Sequence, residues 1–384
     1  MTISAGTVMP AAADTDPQGY LTKMKAQEMW KVADGSGITV AVIDSGVKDV
    51  SNWKSESVLP GVSYIEPPFE RPDITYPPHE DFVGHGTTMT AAIVGDGSSG
   101  GPKGLAPGAK VLPIRTSVGT PMAFAVASEA AKGLRYAADN GAQVINLSIG
   151  VTPDWPMDKI KPAVEYAQSK GALIFAAMGN AGEGKNWSNA IAALPGVIGV
   201  GAVDESGKAM PFSSHGPDTD LVSVGSKVQI RCTDNKGWCM GNGGTSYATS
   251  LASASAALVW SAHPDWTANQ VARVLIQTAG APVDGSKRSD WIGYGVARPR
   301  KVLLDREGDP GAADVDPLAA PTSAKTPVPS TDPTAAVPPR TEAAGAGSGP
   351  TWQWPAIGTA VAVGLGLAVT VIVKRRRGRP SGLA

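Results

Sequence analysis

Three short segments of this chain carry side chains able to do covalent chemistry: AVIDSGV with Asp44, GHGTTM with His85, and GNGGTSYAT with Ser246. A serine hydroxyl is a weak nucleophile at neutral pH and needs an adjacent base. An imidazole supplies that base, and a carboxylate orients the ring and offsets the charge it acquires. Asp44, His85 and Ser246 are therefore the expected catalytic set of an activated-serine hydrolase. Gly84 and Gly86 flank His85 without side chains, which lets neighbouring backbone come close. Asn180, in FAAMGNAG, offers a side-chain donor for a developing oxyanion. Ser246 opens an expected helix of small residues, whose free N–H groups and positive dipole end would face the same oxyanion.

Taken singly, each segment also fits a plainer role, such as a strand-end aspartate in a local turn or a capping serine. Their joint occurrence argues for chemistry. Of the four histidines, only His85 has such a setting; His79 in a Pro-rich loop, His215 in SSHGPD and His263 before Pro264 read as solvated or structural.

Scattered residues need a scaffold to bring them together. Apolar, β-branched runs at ITVAVI (38–43), AKVLPIR (109–115), AQVINLS (142–148), ALIFAAM (172–178) and GVIGVGAV (196–203) predict strands. Helical patterns predict helices over Thr87 to Ile93, Pro121 to Asn140, Met157 to Lys170, Thr245 to Ala262 and Thr267 to Thr278, the last with Thr267 and Gln270 at capping-box spacing. Strands alternating with helices imply an α/β fold, a mostly parallel sheet covered on both faces. Sites in such sheets form beyond the carboxyl ends of strands. Asp44 directly follows the first run, Asn146 and Ser148 end the third, and Asn180 lies just past the fourth.

The termini carry a different signal. The net charge of −1 hides five cations, Lys374, Arg375, Arg376, Arg377 and Arg379, which leave the rest of the chain at about −6. No basic stripe exists for a phosphate backbone, so nucleic acid is not an expected partner. An uncharged run from Pro355 to Val373 has about the length a bilayer-spanning helix needs. Trp352 and Trp354 stand at its start as interfacial anchors, and the basic cluster follows at once. The positive-inside rule keeps that end in the cytoplasm and places the large domain outside the plasma membrane. The first residues lack a basic n-region, so the expectation is that the chain starts within a longer signal peptide cleaved near Ala13. Residues 1–30 are then an N-terminal segment, 31–306 the catalytic domain, 307–350 a Pro/Ala/Thr-rich tether, 351–373 the membrane helix and 374–384 a cytoplasmic tail. The tether can reach on the order of 130 Å at about 3.1 Å per residue.

Cys232 and Cys239 are the two cysteines, in a Gly-rich loop ahead of Ser246. An exported setting favours their pairing as a disulfide, with two free thiols the alternative. Two residues alone cannot make a zinc site.

The strand ending in Asp44, the H-G-T of His85 to Thr87, the G-N of Gly179 and Asn180, the G-T-S of Gly244 to Ser246, and their Asp, His, Ser order resemble the subtilases, the subtilisin-like serine proteases, over about residues 38–304. WIGYGVARP, from Trp291, resembles the segment that closes many subtilase domains. The resemblance implies a subtilisin-like fold. It also implies an oxyanion hole from Asn180 and the Ser246 N–H, and pocket walls from Ser148, Ile149, Gly150, Ala177, Met178 and Gly179. No organic cofactor is implied. Calcium is common in the family, yet no local D-x-D-x-D-G run is present, and metal binding stays open.

Three departures stand out. Ser250 replaces the proline usual after the serine, which predicts altered helix packing; Met178 stands where a small residue is usual and predicts a narrowed primary pocket; and the stretch before residue 38 is too short for a folding-assisting propeptide. Together with the tether, anchor and basic tail, the layout resembles the mycosins, membrane-anchored proteases of type VII secretion systems. That implies a substrate among secreted proteins or peptides and a place beside the secretion complex. Two functions follow as expectations: a tethered endopeptidase, or a mainly structural subunit of that complex with secondary or no proteolysis.

Overall fold

The computed structural model describes residues 18–67, 73–118, 126–150, 157–186 and 188–319. The chain enters through two short helices, α1 (Gly19–Lys23) and α2 (Ala26–Met29). The strands then follow as β1 (Thr39–Asp44), β2 (Val62–Ser63), β3 (Lys110–Arg115), β4 (Val144–Leu147), β5 (Leu173–Ala177), β6 (Val197–Val203) and β7 (Leu221–Val224). They form one parallel sheet in the order β2-β3-β1-β4-β5-β6-β7. All five predicted strands are present to within two residues at each end. The edge strands β2 and β7, too short to show a period, were not anticipated.

Burial explains the layering. Along β1, Val40 and Val42 belong to one hydrophobic cluster and Ala41 and Ile43 to another, so alternate side chains feed opposite faces. One face is covered by α3 (His85–Val94), α6 (Gly244–Ala262) and α7 (Ala268–Gln277), the other by α4 (Val126–Asp139) and α5 (Ile160–Ser169). Helix α6 is buried from Gly244 to Trp260. Its alanines and serines let it lie close against the sheet, and its serine hydroxyls bond either back along the helix, as Ser255 Oγ donates to Leu251 O at 2.8 Å, or across to the β4 segment, as Ser253 Oγ donates to Asn146 Oδ1 at 3.2 Å. The predicted capping box is present: Thr267 caps α7 and exchanges hydrogen bonds with Gln270.

An antiparallel hairpin, β8 (Val228–Arg231) and β9 (Trp238–Gly241), stands apart from the sheet and is closed by the Cys232–Cys239 disulfide. A last short helix, α8 (Pro299–Leu303), ends the core. Beyond it the chain does not leave the domain at Glu307. Arg273 of α7 donates to the carbonyls of Pro310, Ala312 and Val315, and Gln270 Nε2 to Gly311 O, so residues 309–315 lie along α7. Among the described residues no helix is long and apolar enough to cross a membrane. The expected span at 355–373, most of the tether and the expected cleavage near Ala13 lie outside the described residues.

Candidate active site

Strand order sets the place. β1 sits between β3 and β4, the point where the chain switches direction across the sheet, and Asp44 ends β1 there. His85 begins α3, and its Nδ1 lies 2.7 Å from Asp44 Oδ1 and 2.9 Å from Oδ2. A carboxylate only accepts, so Nδ1 carries the proton and Nε2 is left as the basic nitrogen. Gly86 permits this approach: a Cβ there would lie 2.2 Å from Gly46 O and 3.1 Å from Asp44 Cβ.

Burial alone would lower the His85 pKa. The charge of Asp44 and its hydrogen bond, with a further contribution from Asp81, outweigh it and hold the imidazole above its ordinary value. The His85 side chain remains 40 % exposed while that of Asp44 is 3 % exposed, so the base has one side open to a ligand and the carboxylate has none.

Ser246 is the third residue of α6, and its N–H is among those without an intrahelical partner. Its Oγ donates to Ser148 O at 3.4 Å, and no described hydrogen bond joins it to His85. Asn180 stands beside it. Its Oδ1 accepts from the Thr245 N–H at 2.9 Å and from Thr245 Oγ1 at 3.1 Å, which orients the amide and leaves Nδ2 as the free donor. Gly244, at φ +69°, makes room: a Cβ there would lie 2.8 Å from Asn180 Nδ2.

The predicted pocket segments converge on the same edge. Ser148 Oγ donates to Ser246 O at 3.2 Å and receives Asn146 Nδ2 at 3.0 Å. Ile149 is half-buried and Gly150 exposed. Asn189, fully buried, donates through Nδ2 to Ile149 O and to Ala177 O, lacing the two segments together. Gly179 N donates to Thr245 Oγ1 at 3.2 Å. Met178 departs from expectation: its side chain is fully buried in the cluster under α4 and α5, its sulfur 3.0 Å from where a Gly199 Cβ would sit, so it offers no wall to a ligand. Ser250 Oγ donates to Ser246 O at 3.2 Å, and α6 continues unbroken through it.

Sequence reasoning missed Asp81, Ser45, Asn189 and Tyr20. Asp81, four residues before His85, accepts from Ser45, Gly84 and Thr87. The other histidines lie off the site: His79 is exposed, His215 stacks on Trp291 and His263 on Trp266. Among the described residues no group of three His, Cys, Asp or Glu is arranged to hold a metal ion.

A buried carboxylate on an imidazole, beside a serine at the start of a buried helix on the carboxyl edge of a parallel sheet, is the layout of a serine hydrolase. Comparison with protein families matches residues 35–307 to peptidase S8, the subtilase family. Subtilisin Savinase of Lederbergia lenta is 34 % identical over 250 residues, 64 % of this chain and 84 % of that one. Subtilisin E of Bacillus subtilis (strain 168) is 34 % identical over 247 residues, and the match spans 61 % of its length. Among solved structures, MycP1 from Mycobacterium smegmatis superposes with a TM-score of 0.65 at 27 % identity, covering 80 % of this chain and 90 % of that one. The MycP3 protease from the type VII (ESX-3) secretion system gives 0.64 at 28 % identity over 76 % of this chain and 90 % of that one. The chain belongs to the subtilase family and is a serine endopeptidase. Its structural neighbours include mycosins.

Proposed function

We propose that this chain is a membrane-anchored, extracytoplasmic endopeptidase that cleaves protein or peptide substrates with Asp44, His85 and Ser246 as its triad. The observation that carries the reading is the two-oxygen contact of Asp44 with His85 Nδ1, because it commits Nε2 to be the base. A bound substrate turns Ser246 Oγ from Ser148 O toward Nε2, which takes its proton as the oxygen attacks the scissile carbonyl. Negative charge builds on the carbonyl oxygen and is met by the Ser246 N–H and Asn180 Nδ2. His85 then gives its proton to the leaving amine, and water repeats the sequence to free the acyl group. Ser148, Ile149, Gly150, Ala177 and Gly179 line the approach through their backbone, with extended substrate pairing to it. No organic cofactor enters these steps.

The test is labelling of the detergent-purified full chain with a fluorophosphonate probe beside its Ser246→Ala form. Labelling lost on mutation is the expected result, and equal labelling of both would sink the assignment.

Association with a type VII secretion complex is a second part of the reading. It is supported by the likeness to a MycP1 described as an essential component of the type VII (ESX-1) secretion system, and by the apolar run and basic tail at the C-terminus. Complementation of a deletion strain separates the two roles: restored secretion by Ser246→Ala means a structural role dominates, and restoration by the parent alone means proteolysis does.

A further inference from the structure

Asp81 precedes the helix that carries His85, and it is 2 % exposed. Each of its carboxylate oxygens is fully engaged. Oδ1 accepts from Ser45 Oγ at 3.0 Å, Val83 N at 3.2 Å and Gly84 N at 2.9 Å, and Oδ2 from Thr87 N at 2.9 Å and Thr87 Oγ1 at 2.7 Å. Ser45 Oγ also lies 3.1 Å from Asp44 Oδ1 and accepts the Gly86 N–H at 3.1 Å. One hydroxyl thus stands between two buried carboxylates, next to the turn that presents His85. From the other side, Asn235 of the disulfide-closed hairpin donates to Asp81 O at 2.6 Å. A buried carboxylate is costly unless its lone pairs are met, and here five donors meet them.

We propose that Asp81 is a positioning residue of the catalytic site, locking the start of α3 and the Asp44–Ser45 turn into one unit and placing a second negative charge beside the imidazole. The proposal rests on the triad reading above, and its test is chosen to fail separately. The charge is part of the design because every donor around Asp81 is an N–H or O–H. An asparagine in its place would turn its NH2 toward donors in either orientation, so only a carboxylate satisfies the set. The charged and titratable groups around it are Asp44 on β1, His85 on α3, Arg115 at the end of β3, Glu80 in the same loop, and Arg231 and Asp234 of the hairpin. Arg115 and Arg231 both interact with the Asp81 charge, and Asp44 and Asp81 both favour the protonated imidazole.

The experiment compares parent, Asp81→Asn and Ser45→Ala full-length protein in two readouts. The first is the second-order rate of fluorophosphonate labelling against pH; the second is NMR titration of the His85 ring, which needs no reaction at Ser246. The expected result for Asp81→Asn is labelling at least about tenfold slower, with the His85 midpoint lower than in the parent. A folded Asp81→Asn protein with the parental His85 midpoint overturns the proposal, whatever its labelling rate, since a merely structural residue would slow labelling without moving that midpoint. If Asp81→Asn does not fold, as judged by circular dichroism, Ser45→Ala carries the test, because it keeps the charge and removes the linking hydroxyl. Labelling several-fold slower at a near-parental His85 midpoint then supports the proposal, and parental labelling overturns it. A parent that fails to label while Asp81→Asn still moves the His85 midpoint would sink the triad reading and leave this one standing.

Discussion

Tyr20 Oη lies 3.0 Å from Tyr247 Oη, both rings buried and meeting edge to face at 87°. Tyr20 belongs to the short helix α1 at the entrance of the chain, and Tyr247 follows Ser246 directly. The stretch from Gln18 through α1 is thereby part of the packing behind the nucleophile, and Gln18 fastens it further through both the N–H and the carbonyl of Lys103.

Removing that hydroxyl leaves Tyr247 Oη buried with its described partner gone, a loss of about 1–3 kcal/mol. Tyr20→Phe is therefore expected to lower the melting temperature by several degrees. Thermal unfolding by circular dichroism checks this, and an unchanged midpoint would show that the pair adds nothing.

The base must be neutral to accept the serine proton, so activity is lost as pH falls through the His85 pKa. Burial opposes the protonated ring, but Asp44 and Asp81 prevail, and the midpoint of the acid limb is expected above the usual imidazole value of 6.5. A labelling-rate profile between pH 5 and 9 measures it; a midpoint below 6.5 contradicts the electrostatic account.

Asp220 supplies a stability signature away from the chemistry. Burial pushes its carboxyl up to about 7, against the opposing Gly199 N–H and the charge of Arg288, with Asp218 and Asp316 adding repulsion. A folded-state pKa raised above the unfolded one means that the native chain binds the extra proton. Its stabilising contribution is complete below about pH 4 and is lost as pH rises toward 7, by on the order of a few kcal/mol. Urea unfolding at pH 5 and pH 8 should show the parent losing more stability than Asp220→Asn, and equal losses would refute it.

The disulfide-closed hairpin holds Asp81 through Asn235, and Arg231 N donates to Thr88 Oγ1 at 3.0 Å on α3. Cutting a loop this short costs about 2 kcal/mol in the chain-entropy account. Replacing Cys232 and Cys239 by serine should lower stability by that amount and slow fluorophosphonate labelling as the loop before His85 loosens. Labelling at the parental rate in a folded double mutant would separate the hairpin from the site.

Asn180→Ala should leave the fold intact and reduce turnover by about 10² to 10³, a figure established on the corresponding asparagine of subtilisin and not inferred from this structure. Steady-state kinetics on a peptide substrate would show it as a fall in kcat with KM little changed.

The sequence determined, by itself, the chemical inventory and the scaffold class. Asp44, His85, Asn180 and Ser246 stand in segments whose glycines and flanking apolar runs announce strand ends and a helix start, and five strands and five helices follow from periodicity that is local to each run. What depended on distant chain segments was not legible. Asp81 shows no period and gains its role only when the Ser45 turn and the α3 N-terminus meet around it. Met178 reads as a pocket residue beside Gly179, yet it continues the alternation of Ile174 and Ala176 into the cluster under α4 and α5. Tyr20 lies in a helix too short to carry a pattern, and its partner is far along the chain. Side-chain type is a property of the residue, and local structure of its neighbours. Which buried groups face one another is set by how the strands order themselves in the sheet, and that is decided only when the core closes.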